Sequence, residues 1–263
     1  MIYSNQYATG NKPIGIASLS AILKREGHSF KLFDCTAYKV KRDGEFTDWN
    51  KTGEKVSQFM TAKNAERLPK REEVTYTQLI ERVIEDINIF KPDMIGLSAL
   101  SDDYPLGLRI MEKVKLSFSN IPTIIGGVHA TIDPAGVITE KCFDMVCVGE
   151  GEYVMLDIAK RIDEKKDFLN IKNLWVKNHD GTIHKNIVRP YEQNLDNFPM
   201  PDWSIYPDTA FYKPFKGKVY KYGDFEMSRG CPYKCSYCIN VQMQAIYKST
   251  GENYHREKII KRV

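Results

Sequence analysis

The sequence lacks the features of a membrane or secreted protein. Its 263 residues contain no apolar run of about 18 residues, the length that spans a bilayer. The N-terminus from Met1 to Gln6 has no charged leader before an apolar stretch, and the chain is far longer than the small secreted domains that need a disulfide framework. We therefore expect a soluble protein of the reducing cytoplasm.

Two nucleotide-binding motifs are also missing. No G-x-G-x-x-G follows the first strand, and no G-x-x-x-x-G-K precedes Ser or Thr, which excludes dinucleotide and P-loop binding. The net charge is only +4, and the basic residues are spread along the chain apart from a basic, aromatic stretch at residues 212–222. We interpret that stretch as a linker or edge hairpin rather than an RNA surface, and expect no nucleic-acid partner.

What is present, from about residue 14 to 164, is an alternation of helical and buried-strand patterns. Strands that are apolar on both faces and separated by helices predict an α/β fold with a doubly wound parallel sheet. The polar residues 35–75 interrupt this pattern and are interpreted as an insertion or long loop. The predicted strands are Ile2 to Ser4, Phe30 to Asp34, Asp93 to Ser98, Pro122 to Gly126 and Asp144 to Val148.

After residue 165 the alternation stops. Two short apolar segments around Asp180-Gly181 predict a β-hairpin, and a series of prolines then indicates a linker. A further strand near Phe225 begins a second domain. The predicted organisation is a sheet domain at residues 1–165, a hairpin and linker at 166–224, and an incomplete second domain at 225–263. Within the second domain, the pattern of residues 254–263 predicts the opening of a helix.

The second domain opens with a C-x3-C-x2-C motif made of Cys231, Cys235 and Cys238. Three thiolates on one loop leave one iron of a four-iron cluster without a protein ligand, so chemistry can take place at the cluster. The alternative is a structural zinc loop completed by His255. Structural zinc sites favour paired C-x2-C knuckles, and no second pair exists here.

Small and polar residues follow three of the predicted strands, at the edge where a parallel sheet holds its ligand. Adjacent glycines let a backbone approach a flat or extended ligand closely, and a strand-end hydroxyl can bind a polar edge of it. A nucleotide tail along this edge would fit. The candidate contacts are Ser98, Leu100, Gly126, Gly127, His129, Gly149 and Glu150.

The cysteine motif resembles the signature of the radical S-adenosylmethionine (SAM) enzymes, where an aromatic residue, here Tyr237, precedes the third cysteine and Ser-Arg-Gly precedes the first. The resemblance implies that the three cysteines hold a 4Fe-4S cluster and that SAM binds its open iron near Tyr237. In that family, reductive cleavage of SAM gives a 5′-deoxyadenosyl radical.

The sheet domain resembles the cobalamin-binding domains that precede the radical module in cobalamin-dependent members, with Ser-x-Leu and Gly-Gly pairs around the corrinoid tail. This implies that the seven candidate contacts bind cobalamin. The Asp-x-His-x-x-Gly motif that supplies an axial histidine in mutases is missing, because no histidine here has Asp two residues before it. The cobalt is therefore expected to lack a histidine ligand from that motif.

Together the resemblances imply methyl transfer to an unactivated carbon of a small-molecule substrate, with electrons from a reductant such as flavodoxin or ferredoxin. One alternative is a non-catalytic cobalamin-binding or electron-transfer module. Another is a radical SAM tRNA methylthiotransferase, which carries three cysteines in its first domain, whereas Cys147 here has the apolar neighbours of a core thiol. Since Cys238 lies near the end of the sequence and a βα unit takes about 30 residues, we expect a truncated barrel, incomplete for catalysis, and assign no catalytic residue.

Overall fold

The structure is a computed structural model that describes residues 1–5, 12–41, 70–178, 180–251 and 253–259. No helix in these ranges has both the length and the apolar character needed to cross a membrane. The strands, in chain order, are Ile2–Tyr3 (β1), Phe33–Asp34 (β2), Tyr38–Lys41 (β3), Glu72–Thr75 (β4), Ile95–Ser98 (β5), Thr123–Gly126 (β6), Met145–Cys147 (β7), Leu174–Lys177 (β8), Ile183–Lys185 (β9), Tyr212–Phe215 (β10), Lys218–Lys221 (β11), Ser228–Arg229 (β12) and Arg256–Glu257 (β13).

The central sheet has the strand order β2-β1-β5-β6-β7-β8-β9. Its first five strands are parallel, and the hairpin β8–β9 continues the sheet in antiparallel pairing. The sequence correctly predicted this hairpin, although it was assigned to a linker and not to the sheet. The domain limits at residues 165 and 224 stay a prediction.

Helices cover both faces of the sheet, as the α/β doubly wound pattern predicted. The helices are Ile14–Arg25 (α1), Tyr76–Phe90 (α2), Tyr104–Ser117 (α3), Val128–Ile132 (α4), Pro134–Thr139 (α5), Glu152–Asp163 (α6) and Asn240–Ile246 (α7). Neighbouring residues of β6 point to opposite faces: Ile125 packs in a buried cluster with α2 and α3, and Ile124 packs in a second cluster with α1 and α6.

Local signals set the limits of α2, which leads into the centre of the sheet. Thr75 and Gln78 form a reciprocal capping box at its start, with the Gln78 amide donating to the Thr75 hydroxyl at 3.2 Å. At its end Lys91 adopts a left-handed conformation with φ of 51°, and Pro92 follows. The chain then turns directly into β5.

Residues 186–211 form an irregular segment that we call the strap, which crosses the face covered by α1 and α6. Asp202 fixes it to α1, because its amide donates to the Ala17 carbonyl at 2.9 Å and its carboxylate accepts from Ser20 and Lys24 at 2.6 Å. Near the start of the strap, the hydroxyl of Tyr153 donates to Glu192 at 2.6 Å. The predicted linker is therefore packed against the sheet domain.

Two expectations about secondary structure are wrong. Residues 38–41 and 72–75, within the predicted insertion, are the strands β3 and β4, which pair in parallel. Glu73 bridges Lys39 and Lys41 across them at 3.5 and 2.7 Å, so charge pairing replaces the apolar alternation that would have revealed them. Within the same predicted insertion, residues 42–69 lie outside the described residues.

The second wrong expectation concerns residues 254–263, for which the sequence predicts the opening of a helix; of these, the structure describes residues 254–259. Arg256 and Glu257 instead form β13, which pairs antiparallel with β12. Two charged residues of this predicted helix are instead held by ion pairs: Arg256 pairs with Glu150, and Lys258 pairs with Glu226. Asp103 lies directly before α3, where a side-chain cap would be expected from its residue type, but its side chain makes no capping hydrogen bond to the helix.

Candidate functional site

The ligand edge of the sheet begins at Ser98, the last residue of β5. Ser98 lies in register with Tyr3 of β1 and Gly126 of β6. Because β1 has β2 on one side and β5 on the other, the strand order reverses here, and open parallel sheets bind their ligands beyond the strand ends at such a position. Leu100 lies at this edge with 48% of its surface exposed.

Gly127 brings the loops after β5 and β6 together. Its φ is 96°, and a Cβ at this position would lie 2.7 Å from the Ala99 carbonyl oxygen. On either side of it, the Ala99 amide donates to the Gly126 carbonyl at 3.2 Å and the His129 amide donates to the Ala99 carbonyl at 3.3 Å. The Gly-Gly pair therefore permits a close contact between the backbones of the loops after β5 and β6. This role is additional to the ligand approach that the sequence predicts for it.

His129 lies on α4, beside the same loops. Its Nδ1 is 3.1 Å from the Ser101 hydroxyl, and its ring packs on the ring of Tyr104 with 4.0 Å between centroids. Burial lowers the pKa of His129, with Asp133 acting in the opposite direction, so the imidazole is neutral at pH 7. Ser101 and Tyr104 orient this side chain, and the sequence analysis did not identify either.

Gly149 and Glu150 follow β7 and contact the second half of the chain. The Glu150 amide donates to the Tyr247 hydroxyl at 2.9 Å, and its carboxylate accepts from Arg256 at 2.6 and 3.1 Å. The Gly149 amide donates to the hydroxyl of Thr131 at 3.0 Å, and that hydroxyl donates to the Gly127 carbonyl at 2.8 Å. Thr131, which the sequence analysis missed, thus links the two groups of predicted contacts.

The seven predicted contacts fall into two groups with different neighbours. The ends of β5 and β6 bring together Ser98, Leu100, Gly126, Gly127 and His129, whereas Gly149 and Glu150 are covered by Tyr247 and Arg256. The first group offers a flat ligand exposed apolar and backbone surface. Their roles as cobalamin contacts stay a prediction.

The cysteine motif lies on a loop between β12 and α7. Cys231, Cys235 and Cys238 are all half-buried free thiols. The Cys238 amide donates to the Cys235 carbonyl at 3.0 Å, and Asn240 lies 3.4 Å from the Cys238 sulfur. Tyr237 is 90% exposed.

The donor set of this loop suits an iron-sulfur cluster, because thiolates are the usual ligands of such clusters and all three are accessible. Across the described ranges, no three His, Cys, Asp or Glu side chains are gathered into a ready metal site. His255, the candidate fourth zinc ligand, lies 3.9 Å from Glu257.

The remaining cysteines belong to the core. Cys35, Cys142 and Cys147 are buried, and burial raises the pKa of the Cys142 and Cys147 thiols to about 12. A metal ligand needs the thiolate form, which these environments disfavour. This is the opposite of what a second cluster in the sheet domain would require.

A comparison with known protein families finds a match for the part of the chain that contains β5 to β7. The B12 binding domain family matches residues 70–159. We call this segment the B12-binding domain. The match extends from β4 into α6 and includes all seven predicted cobalamin contacts, while the cysteine loop lies outside it.

Two curated proteins are similar to the chain over more than 160 residues each. An uncharacterized methyltransferase of Pyrococcus horikoshii is 27% identical over 168 residues, which cover 64% of this chain and 35% of that protein. An anaerobic magnesium-protoporphyrin IX monomethyl ester cyclase of Rubrivivax gelatinosus is 28% identical over 163 residues, covering 60% and 29%. The chain thus spans about a third of the length of the curated relatives it matches.

A solved structure extends the likeness beyond the B12-binding domain. The cobalamin-dependent SAM radical enzyme OxsB, with aqua-cobalamin and SAM bound, superposes with a TM-score of 0.61 at 18% identity. The superposition covers 90% of this chain and 27% of OxsB, so the fold is shared through most of the described residues. The cobalamin-dependent radical SAM methyltransferase TokK of Streptomyces tokunonensis is also 26% identical over 155 residues, which cover 57% of this chain and 22% of that protein. The predicted resemblance to cobalamin-binding radical SAM proteins is confirmed.

Proposed function

We propose that this chain is the cofactor-binding part of a cobalamin-dependent radical SAM enzyme that transfers a methyl group to an unactivated carbon. In this proposal cobalamin lies over the ends of β5 and β6, and the three cysteines hold a 4Fe-4S cluster that binds SAM. When bound, these groups supply a transferable methyl group and the electron that cleaves SAM.

One observation carries the proposal: the cysteine loop adjoins the ligand edge of the B12-binding domain. Helix α7 begins two residues after Cys238 and contacts α4, the helix that follows Gly127. At the end of α7, Ile246 packs against the apolar core and Tyr247 contacts the loop after β7. The chain therefore brings the two candidate cofactor sites to one side of the sheet.

The residues at the edge have separate tasks in this proposal. Leu100 offers an apolar surface to the corrinoid, and Ser98 a hydroxyl to its polar substituents. His129 is neutral and held by Ser101 and Tyr104, so it can bind a polar group as a hydrogen-bonding partner. Tyr237, exposed beside the third cysteine, is available to the adenine of SAM.

Ring formation is the second candidate reaction, because one relative is named as a cyclase of a protoporphyrin ester. Both reactions start from the same cofactors and differ in the substrate. For either, we propose a small-molecule substrate, a cytoplasmic location and a reductant such as flavodoxin or ferredoxin. A non-catalytic module that binds the same groups is the alternative from another class.

The test is anaerobic reconstitution of the chain with iron and sulfide, followed by addition of aquacobalamin and then SAM. We expect brown absorbance, a stoichiometric cobalamin complex, and an electron paramagnetic resonance (EPR) signal of the reduced cluster that changes when SAM is added. Cys235→Ala should remain colourless, while Cys142→Ala, which alters a core thiol, should reconstitute normally. A wild-type chain that stays colourless and carries stoichiometric zinc would contradict the proposal, and an EPR signal unaffected by SAM would favour the electron-transfer module.

A further inference from the structure

Six charged side chains meet where the cysteine segment touches the loop after β7. Arg229 Nη1 lies 2.6 Å from Glu152, and Arg256 Nη2 lies 2.6 Å from Glu150. Three carboxylates balance three cations, and together they join the B12-binding domain to β12 and β13. The charge cluster consists of Glu150, Glu152, Glu226, Arg229, Arg256 and Lys258.

The charge cluster is largely withdrawn from water. The side chains of Arg256, Lys258 and Glu152 are only 2, 5 and 6% exposed. Burial alone would lower the pKa of Arg229, but the carboxylates of Glu152, Glu226 and Glu150 together raise it. Buried ion pairs contribute little net stability because desolvation opposes attraction, and their best-attested use is to specify one arrangement of the groups they join.

Tyr247 forms a second contact beside the charge cluster. Its hydroxyl accepts from the Glu150 amide at 2.9 Å and from Asn173 Nδ2 at 3.2 Å, and its ring stacks on Tyr191 at 3.5 Å. A Cβ on Gly149, whose φ is 95°, would lie 1.8 Å from the Tyr247 hydroxyl. Only glycine at position 149 leaves room for this ring.

These contacts bracket the cysteine loop on both sides in sequence. Arg229 precedes Gly230 and Cys231, and Tyr247 directly follows α7, which begins after Cys238. Gly230 is itself tightly packed, since a Cβ there would lie 2.1 Å from the Tyr254 carbonyl oxygen. Both ends of the cysteine loop are thus attached to residues that contact the segment after β7: Arg229 at one end and Tyr247 at the other.

We propose that Arg229, Arg256 and Tyr247 are positioning residues that set the separation between the cysteine loop and the cobalamin edge. The inference rests on the proposed function for the identity of the two groups. It assigns to Glu150, and to the glycine before it, the task of receiving the cysteine segment. Glu150 then acts on the loop through Arg256 and Tyr247 rather than by touching the corrinoid.

The separation can be measured when both groups are loaded. Cobalt(II) and the reduced cluster are both paramagnetic, so EPR of the doubly loaded chain reports their dipolar coupling. We expect a single resolved coupling in the wild type. In Tyr247→Phe and Arg256→Gln it should broaden or vanish, although each variant still binds both groups. Tyr220→Phe and Arg161→Gln, which lie outside these contacts, should keep the wild-type coupling.

Amide hydrogen exchange of the cofactor-free chain provides the second readout. Exchange in residues 228–259 should rise about fivefold in Tyr247→Phe, the factor for one lost hydrogen bond, while residues 95–148 keep their protection. Unchanged exchange, or faster exchange with an unchanged dipolar coupling, would overturn the inference. A wild type that binds neither group contradicts the proposed function instead, and exchange then decides whether these residues hold the segment.

Discussion

Alanine at Gly127 should destabilise the B12-binding domain, whereas alanine at the adjacent Gly126 should not. At Gly127 the new methyl group would lie 2.7 Å from the Ala99 carbonyl oxygen and 3.1 Å from its nitrogen, and φ is 96°. At Gly126 the nearest atom is the Cys147 Cβ at 3.7 Å, an ordinary contact, and φ is not positive. The same substitution at two neighbouring glycines should therefore have opposite effects on stability.

The magnitude follows from these geometries. With φ of 96° and ψ of −173°, Gly127 lies in a region of backbone conformation that essentially only glycine adopts, and an L-residue there costs about 1–3 kcal/mol. Separating the two loops removes a backbone hydrogen bond of about 1 kcal/mol. We expect Gly127→Ala to lower the free energy of unfolding by about 2–4 kcal/mol. Gly126→Ala should be neutral or stabilising by about 0.5 kcal/mol, since alanine restricts the unfolded chain.

Urea unfolding of the 263-residue chain, followed by far-ultraviolet circular dichroism, measures both changes. Equal losses in the two variants, or a Gly127→Ala chain as stable as the wild type, would refute the account of the Gly-Gly turn. Gly127 is also a poor probe of cobalamin binding, because a variant that loses the turn loses the candidate site with it.

Two further predictions use positions where the fold should tolerate the change. Leu100→Lys alters a side chain that is 48% exposed at the ligand edge and should weaken aquacobalamin binding while changing stability by less than about 0.5 kcal/mol; Leu116→Lys, on the outer surface of α3, is the control, and equal affinities would contradict the placement of the site. Burial raises the pKa of Asp202, but hydrogen bonds, chiefly from Lys24 and Ser20, outweigh it and lower that pKa to about 2. A carboxyl whose pKa is lower in the folded state stabilises the fold at pH values above its pKa in the unfolded chain. Asp202→Asn should therefore lower the free energy of unfolding by about 1 kcal/mol at pH 7, after allowance for solvent screening. The difference from the wild type should disappear as the pH falls from 3.8 towards about 2, and a difference independent of pH in urea unfolding would argue against this.

The sheet could be predicted because its signals are local. Ile95 to Ser98 and Thr123 to Gly126 are short apolar segments between helices with the period of an amphipathic face, and each forms the expected strand. The cysteine loop was equally visible, since its spacing lies within eight residues. The strands and the cysteine loop can both be recognised from residues that are close together in the sequence.

The environment of Glu150 could not be predicted, because its partners are distant in sequence. Tyr247 lies 97 positions away and Arg256 lies 106 positions away. In the sequence, Gly149-Glu150 looked like one more strand-end loop, equivalent to Gly126-Gly127. Only the tertiary fold distinguishes a loop open to a ligand from one that receives another part of the chain.

The strap makes the connection between the two halves of the chain rigid. A flexible linker would let the cysteine segment search a volume set by linker length, and its encounter with the B12-binding domain would be governed by an effective concentration. Here Asp202 holds the strap to α1, and the strap's own Leu195 and Phe198 are buried in the apolar cluster formed with α1 and α6. The connection is therefore a fixed spacer and not a flexible linker. Lengthening it with glycine and serine between Asp208 and Phe211, beyond these anchors, would convert an arrangement fixed by folding into one that depends on docking.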